Sequence, residues 1–457
     1  MQLWPTAGRL TPVMRKSILG LTLLLATTSC TTGLQPASES SRSATRQAPA
    51  GAGNGTTTDP TVGTVTTPAR PSQPEEMGWV RVSHDEAVFG GGGDQVVMAV
   101  EASPLGLVAV GIDEGEPDIN EDDTATIWLS SDGSTWTRAA NDPTFRDAEI
   151  RDVVWFSASA AFVAVGRYVS DGAVWLSADG TSWSRVALLP FAHLGGGIEM
   201  ESVIAAGPGL VAVGREWLSE GASIPAVWTS TDGRVWGRVE VDMCNLQEEN
   251  ENAIVDVADH GTGLLAVGFI GTSARTYEPA IWSSSDGTSW QAIEISDADA
   301  RSSVLRAIEA NDQLVWVVGD SEAEHVDARA WRSTDRGQTW TPKQVETGQV
   351  GIPALNHITD TPTGWVAVGA DGTTRHEFGE TIAAVWQSSD GYSWIRHEPR
   401  QISLLPTGSA TGVVMTAVSA FGGAVVAGGF EGATCATRFN RCDLDAAFWL
   451  WMADVQR

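Results

Sequence analysis

Short apolar runs separated by polar clusters recur along most of this chain. Seven of them close on glycine: Leu107-Val108-Ala109-Val110-Gly111, Phe162 to Gly166, Leu210 to Gly214, Leu264 to Gly268, Leu314 to Gly319, Trp365 to Gly369 and Ala424 to Gly428. Valine-rich runs of this length, bounded by glycine and polar residues, predict buried strands. A second strand follows each run and carries Trp128, Trp175, Trp228, Trp282, Trp331, Trp386 and Trp449. A weaker strand precedes it, as in Val97 to Val100, Val153 to Phe156 and Val413 to Val418. After the tryptophan strand comes Ser-x-Asp-Gly-x-x-Trp, starting at Ser130, Ser177, Ser230, Ser284, Ser333 and Ser388. The step from Ser130 to Ser177 is the shortest, 47 residues, and that from Ser333 to Ser388 the longest, 55. A fourth strand leaves each turn, as in Trp183-Ser184-Arg185-Val186 and Trp236-Gly237-Arg238-Val239.

Periods of this size belong to solenoids and propellers. Four strands in each of seven units predict an all-β, seven-bladed β-propeller over residues 77–457. The seventh unit stops at Trp449-Leu450-Trp451, without the turn or a fourth strand. An orphan, Trp79-Val80-Arg81-Val82, precedes the first unit and looks like every other fourth strand. It is expected to complete the last blade and so remove an exposed sheet edge.

The turn has its own chemistry. An aspartate here can accept backbone N–H groups two residues on, and the glycine after it can take a positive φ. The tryptophan then returns the chain to the sheet with a large apolar area to bury. Seven tryptophans at the strand position and six at the turn position make thirteen of the 20 in the chain, which marks them as core. Asp132, Asp179, Asp232, Asp286, Asp335 and Asp390 are accordingly expected to be structural.

The fifth copy, Ser333-Thr334-Asp335-Arg336-Gly337-Gln338-Thr339-Trp340, resembles the Asp-box of bacterial neuraminidase (BNR) repeats in full, and the other five are one residue shorter between Asp and Gly. The resemblance covers residues 79–457 at the level of fold and points to the sialidase superfamily. Asp-boxes also occur in non-catalytic propellers, secreted binding proteins and other glycosidases. A sialidase would need three arginines to clamp a carboxylate, a tyrosine activated by a glutamate, an acidic general acid and an Arg-Ile-Pro type motif before the first box. No such motif lies between Trp79 and Trp128. The tyrosines are Tyr168, Tyr277 and Tyr392, and Tyr277-Glu278, two residues after Arg275, is the one local pair that imitates a nucleophile and its base.

Met14-Arg15-Lys16, the apolar run Ile18 to Ala26 and Ser29-Cys30 read as a secretory signal over residues 1–29, with Met14 as the expected start. Cys30 resembles the lipidated cysteine of bacterial lipoproteins, although Thr27 stands where leucine is usual. Residues 30–76, rich in Ser, Thr, Pro, Ala and Gly, are then a disordered tether between lipid and propeller. Two lysines, Lys16 and Lys343, among many arginines suggest a high-GC, actinobacterial source. The expected location is extracytoplasmic, at the cell envelope, touching membrane only through the anchor.

Net charge is −29, and cleavage after Ser29 makes it −32 because Arg9, Arg15 and Lys16 leave with no acid. Such a chain repels nucleic acid and anionic headgroups. The acidic stretch Asp113 to Asp123 contains Asp118-x-Asn120-x-Asp122 but lacks the glycine and the glutamate of an EF-hand, so a solvated loop is expected. Cys435 and Cys442 are spaced to close a small ring in an oxidising compartment, leaving Cys244 odd. The scattered histidines show no zinc spacing, and Gly90 to Gly93 precede no Gly-Lys-Ser/Thr, so neither metal nor cofactor is expected.

Loops between strands two and three, and those between blades, emerge at one end of a propeller and vary most here. They hold Arg215, Trp217, Arg275, Tyr277, Arg329, Arg375 and His376. Trp217 stands outside the repeat, either as an exposed anchor or packed beneath its own loop. The expected function is non-enzymatic binding or scaffolding of a protein or glycan, by a monomer. The alternative is a sialidase-like glycoside hydrolase.

Overall fold

The computed structural model describes residues 78–452, apart from 92, 115–122, 141, 187–195, 220–221, 243–249, 274–275, 294–302, 322–327, 346–351, 373–380, 398–401 and 433–443. Cys30, Arg275, Arg375, His376, Cys244, Cys435, Cys442, residues 1–77 and most of the acidic stretch lie outside the described residues.

Five sheets are four-stranded antiparallel meanders. The first is β6 (Ala148–Phe156), β7 (Ala161–Tyr168), β8 (Asp171–Ser177) and β9 (Ser184–Arg185). The second is β10 (Gly197–Ile204), β11 (Leu210–Ser219), β12 (Ala222–Ser230) and β13 (Trp236–Val239). The third is β14 (Asn252–Asp259), β15 (Leu264–Ser273), β16 (Thr276–Ser284) and β17 (Gln291–Ile293). The fourth is β18 (Ser303–Ala310), β19 (Val315–Ser321), β20 (Ala328–Ser333) and β21 (Thr341–Gln344). The fifth is β22 (Ile352–Thr361), β23 (Gly364–Gly372), β24 (Thr381–Ser388) and β25 (Ile395–Arg396).

The remaining strands form one eight-stranded sheet, not the two further separate blades expected from the repeat. It combines β2 (Asp94–Ser103), β3 (Gly106–Glu114), β4 (Thr124–Ser130) and β5 (Thr137–Arg138) with β26 (Gly412–Phe421), β27 (Ala424–Gly432), β28 (Leu444–Met452) and β1 (Trp79–Arg81). The physical reason is a single parallel bridge, Asp94 to Leu444, reinforced by the Leu444 N–H donating to the Asp94 carboxylate at 3.2 Å.

The orphan strand pairs as its sequence suggested. Trp79, Val80 and Arg81 lie antiparallel to Trp451, Leu450 and Trp449. Arg81 thereby faces Trp449 in the register that sets Arg138 against Trp128, Arg185 against Trp175, Arg238 against Trp228 and Arg396 against Trp386. Arg81 stacks over the Trp449 ring at 5.2 Å and pairs with buried Glu431, while Arg396 stacks over Trp386 at 5.8 Å and pairs with Asp371.

The first strands of the units pack side by side in a closed series, β2 on β6, β6 on β10, β10 on β14, β14 on β18, β18 on β22, β22 on β26 and β26 on β2. Each carries a bulge, for example between Ile150 and Asp152 or between Met200 and Ser202. The bulge explains the glycine that closes six of the seven apolar runs, and in the seventh it is the next residue, Gly429, that lies against the bulge. A Cβ at Gly214 would lie 2.0 Å from the Glu199 carbonyl oxygen, and one at Gly111 1.9 Å from that of Val96. Only glycine admits so close a backbone. The core sits between neighbouring sheets. Trp128, Trp175, Trp228, Trp282, Trp386 and Trp449 are each fully buried there.

The Ser-Asp-Gly-Trp turns are built alike. Asp179 Oδ1 accepts the N–H groups of Thr181 and Ser182, both at 2.8 Å, while Ser177 Oγ accepts that of Gly180. Trp183 Nε1 donates to the Gly180 carbonyl at 2.8 Å, and Gly180 has φ 76°. These N–H groups, that of Ser182 first, hold the Asp179 carboxyl down at about 2. A short helix, α1 (Glu86–Phe89), capped by Asp85, was not legible in the glycine-rich stretch that follows it. It buries Phe89 against Phe448, ring centres 5.6 Å apart.

Candidate ligand-binding site at the loop end

In an antiparallel meander the turn between strands three and four shares an end with the turn between strands one and two. The starts of the first strands, the ends of the second and the starts of the third lie at the opposite end. There the structure gathers a cluster of charge: Glu149 and Arg151 from β6, Arg167 from β7, Glu199 and Glu201 from β10, Arg215 from β11, Glu251 just before β14 and Tyr277 from β16. Arg151 and Glu201 are the extra residues of two bulges, which re-aim side chains out of the regular pleat.

The ion pairs are tight. Arg151 Nη2 is 2.8 Å from Glu149 Oε2, and Arg167 pairs with the other oxygen of the same carboxylate. Arg215 Nη2 is 2.7 Å from Glu199 Oε2 and 3.4 Å from Glu201 Oε1, and its Nη1 is 2.7 Å from Glu251 Oε1. Tyr277 donates its hydroxyl to Glu251 Oε2 at 3.0 Å and meets the Phe269 ring edge-on at 4.9 Å. Burial alone would raise the Glu199 carboxyl, but the guanidinium groups of Arg215, Arg151 and Arg167 hold it down at about 2. Burial likewise opposes the charge on Arg215, and the carboxylates of Glu199, Glu201 and Glu251 outweigh it, raising its pKa.

Of the residues singled out in the sequence, Arg215, Trp217 and Tyr277 come together here. Trp217 is half-buried, with the Arg215 guanidinium 4.6 Å over its ring centre, between the exposed and the packed alternatives. The pairing of Tyr277 with Glu278 is corrected. Successive side chains of a strand point to opposite faces, so Glu278 is turned away and exposed, and the carboxylate on the tyrosine is that of Glu251. Arg329 lies opposite Gly319 in another sheet, and no described ion pair links it to the cluster. Sequence reasoning missed Glu149, Arg151, Glu199, Glu201 and Glu251. The available signal was charge interrupting the otherwise apolar first strands, at Glu149-Ile150-Arg151 and Glu199-Met200-Glu201.

Three guanidinium groups meet four carboxylates, so the arrangement carries one excess formal negative charge. It can offer acceptor oxygens outward, since the Glu201 and Glu251 side chains keep 16% and 25% of their exposure. A ligand carboxylate, in contrast, would have to displace one already present.

Comparison with known proteins agrees with this architecture. No protein-family model and no curated protein matches the chain. Among solved structures, a polysaccharide lyase described as an ulvan lyase of family PL25 is similar with a TM-score of 0.50 at 12% identity, over 80% of this chain and 95% of that one. The fold is a β-propeller of four-stranded blades. A Trypanosoma rangeli sialidase is similar with a TM-score of 0.44 at 12% identity, over 82% of this chain and 59% of that one. A protein of unknown function from Dyadobacter fermentans gives 0.46 at 11% identity, over 82% of this propeller chain and 98% of its own.

Proposed function

We propose that the chain is a non-enzymatic, carbohydrate-binding propeller of seven blades, working as a monomer at the cell envelope and tethered through Cys30. Carbohydrate is the ligand class suggested by the ulvan lyase and the sialidase among its structural neighbours. One observation carries binding over catalysis. Arg151, Arg167 and Arg215 are all committed to carboxylates of the chain itself, so none stands open as a clamp for an acidic sugar. Trp217 and Tyr277 border the cluster as aromatic surface on which a sugar ring can stack, beside the partly exposed acceptors Glu201 and Glu251.

The count of seven rests on the closed series of first strands, with the eight-stranded sheet as two blades fused at Asp94 and Leu444. The six turns with their shared hydrogen bonds are read as Asp-boxes. The test is binding of the full chain to immobilised neutral and acidic oligosaccharides. Retention on neutral glycans that is lost in Trp217→Ala supports the reading, and absence of binding to any glycan overturns it.

The 3.0 Å bond from Tyr277 to Glu251 favours a second reading, a glycosidase of sialidase type using that tyrosine and that base. Hydrolysis of a fluorogenic sialoside, abolished by Tyr277→Phe, would establish it in place of the first.

A further inference from the structure

Ser202, on β10, lies between two aspartates of the neighbouring first strands. Its Oγ is 3.0 Å from Asp152 Oδ2 on β6 and 2.9 Å from Asp256 Oδ1 on β14. Each carboxyl also accepts backbone N–H groups at 2.8 Å. Asp152 takes those of Val153 and, across the seam, Val203. Asp256 takes those of Val257 and, across the next seam, Ile308. A serine hydroxyl has one proton to give. It can donate to one aspartate only, and its second contact is a hydrogen bond only where the other aspartate donates. With both carboxyls ionised, two oxygens would face each other at 3.0 Å or less with no proton between them.

We infer that Asp152, Ser202 and Asp256 hold one proton between the two carboxyls, and that this proton clasps β6, β10 and β14 into a pH-sensitive seam beneath the loop-end cluster. The charged surroundings agree. Burial first, then the charge of Asp256, pushes Asp152 up to about 7, and burial pushes Asp256 up to about 6. Glu309 of β18 faces Asp256 and Asp360 of β22, and is raised to about 8 by burial and then by those two charges. The adjacent charged groups, Arg151 on β6 and Glu201 on β10, are taken up by the ion cluster. They stand one residue before Asp152 and Ser202, so loosening the clasp moves two residues of the candidate site.

The sign follows from linkage. An unfolded aspartate ionises near pH 4, whereas the folded pair keeps a proton to about 6–7, so this contribution is complete below pH 4 and is lost as pH rises through neutrality.

The experiment uses the full chain with its aspartates labelled with 13C at the side-chain carboxyl, followed by infrared spectroscopy from pH 4 to 9. A protonated-carboxyl band persisting at pH 6 and vanishing by about pH 8 is the expected result. In Asp256→Asn one of the two carboxyls that share the proton is gone, so that band should shift or disappear and the fall in thermal midpoint between pH 5 and 8 should shrink. The label excludes Glu101 and Glu309 from the signal. Absence of a protonated aspartate above pH 5 in the folded parent chain overturns the proposal. So does a band left unchanged in both Asp152→Asn and Asp256→Asn. Absence of the band in the parent chain overturns the proposal even where a variant does not fold. The two variants distinguish the pair from Asp371, which burial also raises, and the measurement is independent of any glycan binding.

Discussion

The two ends of this propeller are built on opposite principles. At the turn end the same hydrogen bonds recur: in five of the six turns a carboxylate takes two N–H groups, in five a serine hydroxyl takes the glycine N–H, and in four the indole N–H closes on the glycine carbonyl. At the loop end the residue at the bulge changes from each unit to the next. Arg151 and Glu201 occupy the bulges of two neighbouring units, Val255 that of the next and Arg306 the one after. Repetition at one end fixes the geometry of the sheets, and departure from it at the other end leaves room for recognition.

Mutations can break that contrast. The largest effect is expected where the repeat is buried. Trp228→Ala removes a fully enclosed indole and should cost about 3–5 kcal/mol, read as a lower urea midpoint, whereas half-buried Trp217→Ala should leave that midpoint nearly in place. Next comes Arg81→Ala, which strands the buried Glu431 carboxylate in the fused sheet and should cost about 3 kcal/mol. A single turn matters less. Asp179→Ala should cost about 1 kcal/mol at neutral pH. Because the folded Asp179 carboxyl is held at about 2, against an ordinary 3.8, its contribution is complete above pH 4 and lost as pH falls through 2. The gap between parent and variant should therefore close in acid, as a pH series of denaturation curves would show. The smallest stability effect belongs to Tyr277→Phe, about 1 kcal/mol or less, and a loss of glycan retention with an unchanged unfolding midpoint would sharpen the contrast most.

The legible part of this molecule was its periodicity. Strand identity, the turns and the pairing of Trp79 with the last tryptophan strand all repeat, and a repeat averages away the ambiguity of any one segment. The fusion of two units at Asp94 and Leu444 was not legible, because one bridge between residues 350 positions apart leaves no local pattern. Nor was the Tyr277–Glu251 pair. Sequence proximity favoured Glu278, and the pleat of a strand turned that residue outward. The aspartates of the clasp were hidden for a different reason. Asp152 and Asp256 sit in first strands whose bulges shift the alternation, so neither fits a simple inward or outward pattern.

The pairing of β1 with β28 has a consequence in time. For a chain made from its N-terminus, Trp79 to Arg81 must stay unpaired until the last tryptophan strand has been synthesised, since its partners are Trp449 to Trp451. Contacts of such long range are slow to form, and the unsatisfied edge of the last sheet is exposed meanwhile to other chains. The same latch works in the opposite direction once shut. Opening the ring at that seam requires breaking the ladder and the Arg81–Glu431 pair together, so the native state should be long-lived even where its equilibrium stability is ordinary.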